Sequence, residues 1–211
     1  MKQFVVTLAV LLGLSWGVVS AQDQDFRRSS PTQSEYLIGS NLKVGGFGGP
    51  FVEIGSMANK FSVLTGGGGA VLFNRAFFIG GFGQGLSNDI FYDVPIEGRS
   101  ERMKLDVGMG GIWAGYSVPA TKVVHLIGQA KLGFGSAQLS PDDWRRNDNQ
   151  TYADESFVAL CPQAGMEVNF APWFRLSIEG GYRYFSGGDL PFVDNLSGAY
   201  GALTLRFGWF E

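Results

Sequence analysis

The sequence predicts an all-β protein: an eight-stranded antiparallel up-and-down transmembrane β-barrel over residues 43–210. Three observations carry this. Glycine is unusually common, at 32 of 211 residues, about twice its ordinary share of ~7%. Aromatic residues nevertheless make up 14% of the chain, which a disordered polymer would lack, so the glycines belong to folded structure. Strand-like runs with a period of two recur along the chain, and the links between them are mostly short and long in turn.

Residues 1–21 have a separate explanation. Lys2 supplies a positive start, Phe4 to Leu14 a short apolar run, and Val19-Ser20-Ala21 small residues before a cut at Gln22, the layout of a signal peptide. The apolar run is shorter than the roughly 20 residues that a spanning helix needs. Residues 22–42 are polar and lack a sustained period, and read as a flexible N-terminal tail. The net charge of −3 gives no basic stripe for nucleic acid. The single cysteine, Cys161, excludes an internal disulfide framework. No later run is long and apolar enough for a membrane helix.

The strand-like runs fall at 43–56, 61–73, 76–86, 103–117, 123–137, 156–170, 174–185 and 198–210. The links after the second, fourth and sixth are short. Those after the third, fifth and seventh are long: 87–102, 138–155 and 186–197. Met57 to Lys60 is the exception to the alternation. Short turns at one end and long loops at the other are expected of an outer-membrane barrel, with both ends of the barrel segment on the short-turn, periplasmic side.

In 174–185 the alternation is strict. Phe174, Leu176, Ile178, Tyr182 and Tyr184 share one face, and Arg175, Ser177, Glu179 and Arg183 the other. An apolar face toward lipid leaves a polar interior, for which the candidates are Glu53, Asp106, His125, Gln129, Lys131, Glu167, Arg175, Glu179, Arg183 and Arg206. Buried charges must pair to offset desolvation, so these residues predict an ion-pair network filling the bore. Large aromatics sort by height on the apolar faces. Trp113, Phe170, Phe174, Phe207 and Trp209 lie toward the short turns, and Tyr182 and Tyr184 toward the long loops. This predicts two girdles around an aliphatic band.

The glycines, above all Gly66 to Gly69, are expected to relieve crowding in a narrow barrel and to make room for large neighbours. Pro50 and Pro162 cannot donate to a ladder, which predicts a bulge or a strand boundary near each.

Little in the sequence points to chemistry. His125, the only histidine, starts a strand beside a short turn and points inward. Ser136 and Ser140 lie toward the other end of that strand, so no catalytic pairing is expected. Asp142, Asp143, Asp148 and Asp154 make a charged loop without the spacing of a calcium loop. Asn149-Gln150-Thr151 matches a glycosylation triplet that is common by chance. No cofactor or metal is expected. Loop 87–102, with Phe91, Tyr92 and Ile96, and loop 186–197, with Leu190, Phe192 and Val193, either form a contact surface or pack together as a lid.

The run 201–211, GALTLRFGWFE, resembles the terminal strand of outer-membrane proteins, with Leu203, Leu205, Phe207 and Trp209 alternating. It departs from that pattern in carrying Phe210 and Glu211 after the last of these. With the signal peptide and the eight strands, residues 43–210 resemble the small outer-membrane β-barrel families, OmpA-barrel-like or OmpX-like. The resemblance is one of architecture and transfers no functional residue. It implies a non-enzymatic monomer in the outer membrane, with lipid around it, the barrel-assembly machinery as a partner during insertion and an unidentified extracellular partner. The implied role is structural or adhesive through the long loops. The alternatives are a lipid-modifying enzyme, a narrow channel and a soluble periplasmic ligand-binding barrel.

Overall fold

The computed structural model describes residues 42–96, 99–118, 122–141 and 152–210. The expectations for residues 1–41, including signal peptide and tail, lie outside these. The strands are β1 (Val44–Met57), β2 (Lys60–Phe73), β3 (Phe77–Leu86), β4 (Ile90–Ile96), β5 (Arg99–Val118), β6 (Val124–Pro141), β7 (Ala153–Ala171), β8 (Phe174–Gly187) and β9 (Gly198–Trp209). Every neighbouring pair is antiparallel.

The sheet runs β3-β2-β1-β9-β8-β7-β6-β5-β4, and β5 also pairs with β3. That last pairing closes the ring. β3 and β4 lie end to end along β5, pairing with Gly108–Tyr116 and Arg99–Leu105 respectively. Together they act as one interrupted strand, so the barrel has eight staves. At the interruption the Asn88 side chain replaces the ladder to β2. Its Oδ1 accepts from the Val63 amide at 2.6 Å, and its Nδ2 donates to the Phe61 carbonyl at 3.1 Å.

The stretch 87–102 is therefore not the loop that the sequence suggested. Most of it is a hairpin, β4 with the start of β5. β6 and β7 likewise extend into 138–155, as far as Pro141 and from Ala153. Two-sided apolar and charged content hid their alternation. The short Met57–Lys60 link is a tight turn in which Ala58 and Asn59 both have positive φ, 49° and 59°. Consecutive left-handed residues match the right-handed twist of a hairpin.

The prolines do not produce bulges. The β1–β9 register is the same on both sides of Pro50, with Gly48 opposite Phe207 and Phe51 opposite Thr204. The β7–β8 register is likewise the same on both sides of Pro162, with Leu160 opposite Tyr184 and Gln163 opposite Gly181. Each proline leaves a gap in one ladder instead, because it lacks the N–H that would fill it. Facing is preserved beyond both. The irregularity in β7–β8 falls elsewhere, between Asn169 and Ala171.

Polarity is inverted relative to a water-soluble fold. In β8, Arg175, Ser177, Glu179 and Arg183 are buried, while Ile178, Tyr182 and Tyr184 are exposed. In β6, His125, Gln129 and Lys131 are buried, while Val124, Leu126, Leu132 and Phe134 are exposed. A wall of exposed aliphatics and aromatics around buried charge suits acyl chains, where a closed ladder satisfies every backbone polar group. Two aromatic levels bound this wall. At the short-turn end, Phe174 and Phe207 stack at 5.0 Å, flanked by Trp173 and Phe170. At the other end Tyr182 and Tyr184 lie 4.5 Å apart. The β8 segment between these levels matches the roughly 9–11 residues of a tilted spanning strand.

The glycines of β2 divide by face. Gly66 and Gly68 point inward, where a Cβ would lie 2.8 Å from the Phe51 ring and 3.0 Å from the Trp113 ring respectively. On β5 and β8, a Cβ at Gly115 would meet Phe78 at 2.5 Å, and one at Gly181 would meet Tyr200 at 2.9 Å. Large rings lie flat over inward glycines, which is how a narrow bore holds so many. Outward Gly83, by contrast, has nothing within 4 Å of its notional Cβ.

Two substitutions separate these roles. Gly68→Val should cost roughly 1–3 kcal/mol through overpacking against Trp113 and reduce the folded fraction. Gly83→Val should fold as well as the parent. Urea titration in lipid vesicles, read by gel mobility of unheated samples, measures both; equal losses at the two sites would contradict the assignment.

Candidate functional site

The bore has two unlike walls. β6, β7, β8 and β9 contribute polar side chains: His125, Gln129 and Lys131; Gln163 and Glu167; Arg175, Glu179 and Arg183; Thr204 and Arg206. β1, β2, β3 and β5 contribute mostly rings and aliphatics, including Phe47, Phe51, Leu64, Phe78, Phe82 and Trp113, with Glu53, Ser62, Gln84 and Ser117 as polar exceptions. The sequence reading of an all-polar interior is corrected on this side. β1 and β3 are largely apolar on both faces, and β5 carries its charged residues Lys104 and Asp106 on the outer face at the long-loop end, so alternation does not mark the inner face of these strands.

Two of the named residues change sides for that reason. Trp113, expected in the outer girdle, points into the bore and is 1% exposed. Asp106, expected inside, faces outward with its side chain 53% exposed. Inward residues on β5 are Met103, Leu105, Val107, Met109 and Trp113, so Asp106 is necessarily on the other face. It lies at the long-loop end of β5, beside Lys104 at 3.7 Å. The other expected girdle residues, Phe170, Phe174, Tyr182, Tyr184, Phe207 and Trp209, are on the outer surface, with Phe174 half-buried.

The buried charges form two connected groups. In the first, Glu53 accepts from Lys131 Nζ at 2.8 Å and Arg183 Nη1 at 3.0 Å, and from Gln84 at 3.1 Å. Arg183 also donates to Ser62 Oγ at 3.1 Å. In the second, Glu167 binds His125 Nε2 at 2.7 Å, Arg175 at 3.1 Å and Arg206 at 2.6 Å. Arg206 continues to Gln129 at 2.7 Å, which also accepts from the Trp113 indole at 2.9 Å. Glu179 receives Gln163 and Thr204 and lies 3.7 Å from Arg206.

These contacts cross the bore. In the ring of eight, β1 and β6 are four staves apart, so the Glu53–Lys131 pair spans the full diameter. Arg206 on β9 faces Trp113 on β5, also four staves away, with its guanidinium 5.2 Å from the indole ring. Three carboxylates meet four cations and one histidine, and aromatic faces supply the remaining attraction. Lys131 lies 3.4 Å from the Phe51 ring centroid, Arg183 4.7 Å from Tyr200 and Arg206 4.9 Å from Phe47 and from Phe78. Desolvated cation–π contacts of this kind contribute about 2 kcal/mol each. The aromatic residues that complete the network share the parity of Glu53 on β1, the one signal in the sequence that could have found Phe47 and Phe51.

Phe210, just past β9, turns inward. It is 6% exposed, stacks on Phe47 at 6.0 Å and lies beneath the Arg175 guanidinium at 4.0 Å. It closes the short-turn mouth, and so the first residue after the alternating terminal run serves packing.

At the opposite end the loop 188–197 and the β4 hairpin share one apolar cluster. Leu190, Leu196, Ile90, Tyr92, Val94 and Met57 are buried in it. Of the two expectations for these loops, packing as a lid is what occurs. Asn59 Nδ2 donates to Asp194 at 3.0 Å, and the Tyr92 hydroxyl to the Ala58 carbonyl at 3.3 Å. Burial, and then the Asp194 charge, raise the Tyr92 phenol above its ordinary value. A small cavity of about 50 Å³ lies under this loop, lined by Phe185, Asp189, Asp194 and Leu196 among others.

Among the described residues there is no group of three or more His, Cys, Asp or Glu placed to hold a metal. Asp142, Asp143, Asp148 and Asn149 lie outside those residues; Asp154 is exposed. Cys161 is buried in the bore. His125 has both ring nitrogens engaged, Nε2 with Glu167 and Nδ1 with the Lys122 carbonyl at 3.3 Å. Neither is aimed at a serine.

A closed ring of eight antiparallel staves, charged inside and apolar outside, defines the class of small outer-membrane-type β-barrels. Solved structures agree. Neisserial surface protein A (NspA) matches with a TM-score of 0.56 at 12% identity, over 80% of this chain and 99% of that one. The N-terminal β-barrel domain of Pseudomonas aeruginosa OprF matches with a TM-score of 0.52 at 10% identity, over 79% and 97%. No family model matches, and no curated protein does.

Removing one partner of the cross-bore pair tests its weight. Glu53→Gln leaves Lys131 and Arg183 without their carboxylate and should lower stability by about 3–5 kcal/mol. The paired change Glu53→Gln with Lys131→Met should recover part of that loss. Chemical unfolding in vesicles measures both, and a Glu53→Gln variant as stable as the parent would contradict the network.

Proposed function

We propose that this protein resides in a bacterial outer membrane as a sealed barrel and acts structurally or in surface contact, through the platform at its long-loop end. The observation that carries this reading is the bore itself. Ion pairs and stacked rings join opposite staves, and Phe210 covers one mouth. Such a bore favours neither solute passage nor a reaction within it. The other end is elaborated: β5, β6 and β7 are the longest strands, and with β4 they rise past the shorter staves into a raised wall beside the packed 188–197 loop. A raised wall of paired strands suits contact with another surface.

The enzyme alternative is disfavoured by His125, which sits at the short-turn end and is spent on Glu167. The channel alternative is disfavoured by the Glu53–Lys131 bridge. A soluble ligand-binding barrel is disfavoured by the apolar outer wall, which would expose Ile178, Leu126, Leu203 and their neighbours to water.

Two measurements test the proposal together. The mature chain should stay with membranes after an alkaline wash and migrate faster unheated than boiled. In planar bilayers it should show no steady single-channel steps. Monodisperse behaviour in detergent-free buffer would overturn the membrane reading, and reproducible conductance would overturn the sealed bore.

A further inference from the structure

Among the described residues, the short-turn end carries a cationic rim with no acidic counterpart. Lys43 immediately precedes β1, Arg75 sits in the turn between β2 and β3, and Lys122 lies in the link before β6. Lys43 and Lys122 are exposed, and Arg75 is half-buried. Lys43 and Arg75 are neighbours, since the Asn74 amide donates to the Lys43 carbonyl at 2.8 Å. Arg75 is held in a left-handed conformation, with φ 63°. Its Nε is shielded from solvent and without a hydrogen-bond partner.

Among the described residues, the cations elsewhere have partners, apart from the exposed Arg99 at the long-loop end. Lys104 pairs with Asp89 at 2.8 Å, Lys60 lies over the Tyr92 ring at 3.8 Å, and the four bore cations bind Glu53 or Glu167. None of the Lys43, Arg75 or Lys122 side chains has an acidic or hydrogen-bonding partner among the described residues. Glu167, the carboxylate nearest this end among the described residues, is already shared by His125, Arg175 and Arg206.

The rim also has a defined depth. Val44, next to Lys43, pairs with Phe73, and Arg75 lies two residues past Phe73. Trp209, on β9 next to β1, and Trp173, in the turn between β7 and β8, are both exposed and mark the same level. Aromatic rings at the edge of an apolar band lie at headgroup depth, and basic side chains just beyond them reach the phosphates.

From this arrangement we infer that the short-turn rim binds anionic phospholipid headgroups, whose phosphate oxygens accept hydrogen bonds from Lys43, Arg75 and Lys122, and selects them over zwitterionic lipid. The inference rests on the membrane reading above. Basic groups near an anionic lipid surface each favour binding by about fivefold at low salt, and the effect is screened over a Debye length.

The test uses the full mature chain folded into phosphatidylcholine bilayers containing a minor fraction of phosphatidylglycerol. Spin-labelled lipids of each headgroup report association with the protein. Phosphatidylglycerol should be enriched severalfold at low salt, and the preference should collapse in high salt. Lys43→Gln, Arg75→Asn and Lys122→Gln together should abolish it, whereas Lys60→Gln at the opposite rim should not. Gel mobility of unheated samples checks that each variant is folded. A folded, inserted parent with no headgroup preference overturns the inference while leaving the membrane reading intact. A preference that appears only after Glu211→Gln also overturns it, because the chain's own last residue would then occupy the rim. A chain that fails to enter any bilayer overturns both.

Discussion

The constraint on which the structure depends is electrostatic. Four cations and three carboxylates are held inside a ring eight staves wide, with lipid intended on the other side of the wall. No such charge can be left alone, because desolvation of an unpaired ion costs several kcal/mol. The bore answers this by bonding across its own diameter. Lys131 on β6 reaches Glu53 on the opposite stave, and Arg206 on β9 ties Glu167 to Gln129 while lying over the indole of Trp113. The closed backbone ladder and the cross-bore bonds support one another. Closure holds the partners within reach, and the partners hold opposite staves at a fixed separation.

The division of the bore into a polar and an aromatic wall follows from the same constraint. Carboxylates are fewer than cations, and an added carboxylate would need its own partners. Rings offer a negative face without a charge to desolvate. Phe47, Phe51, Phe78, Trp113 and Tyr200 supply those faces, and glycines beneath several of them give the rings room. The glycine content and the aromatic content of the chain are thus two halves of one packing solution. Phe210 extends it to the mouth by stacking between Phe47 and Arg175.

Much of this was legible in the sequence, and the limits have physical causes. β6, β8 and β9 were readable because one face is ionic and the other greasy, so parity declares itself. Nine of the ten polar residues named from the sequence, all but Asp106, lie in the bore. β5 was misread because its inner face is apolar while Lys104 and Asp106 lie on its outer face beyond the apolar band, which let Trp113 and Asp106 exchange sides in the reading. The β4 hairpin was missed because Arg99, Glu101 and Arg102 give its second strand a loop-like composition. The aromatic wall was missed because inward phenylalanines look like lipid-facing ones until the staves are paired.

The central claim is that apolar side chains face acyl chains along the spanning staves while the ionic side chains of β6 to β9 face the bore. Spin labels placed singly along β8 and β9, from Leu176 to Tyr182 and from Ala199 to Leu205, test it most directly in vesicles. Collision with lipid-soluble oxygen should rise and fall with a period of two. Maxima belong at Ile178 and Leu203, and minima at Ser177 and Thr204, with little access to water-soluble nickel at either. Uniform accessibility, or maxima for nickel rather than oxygen at Ile178 and Leu203, would contradict the account.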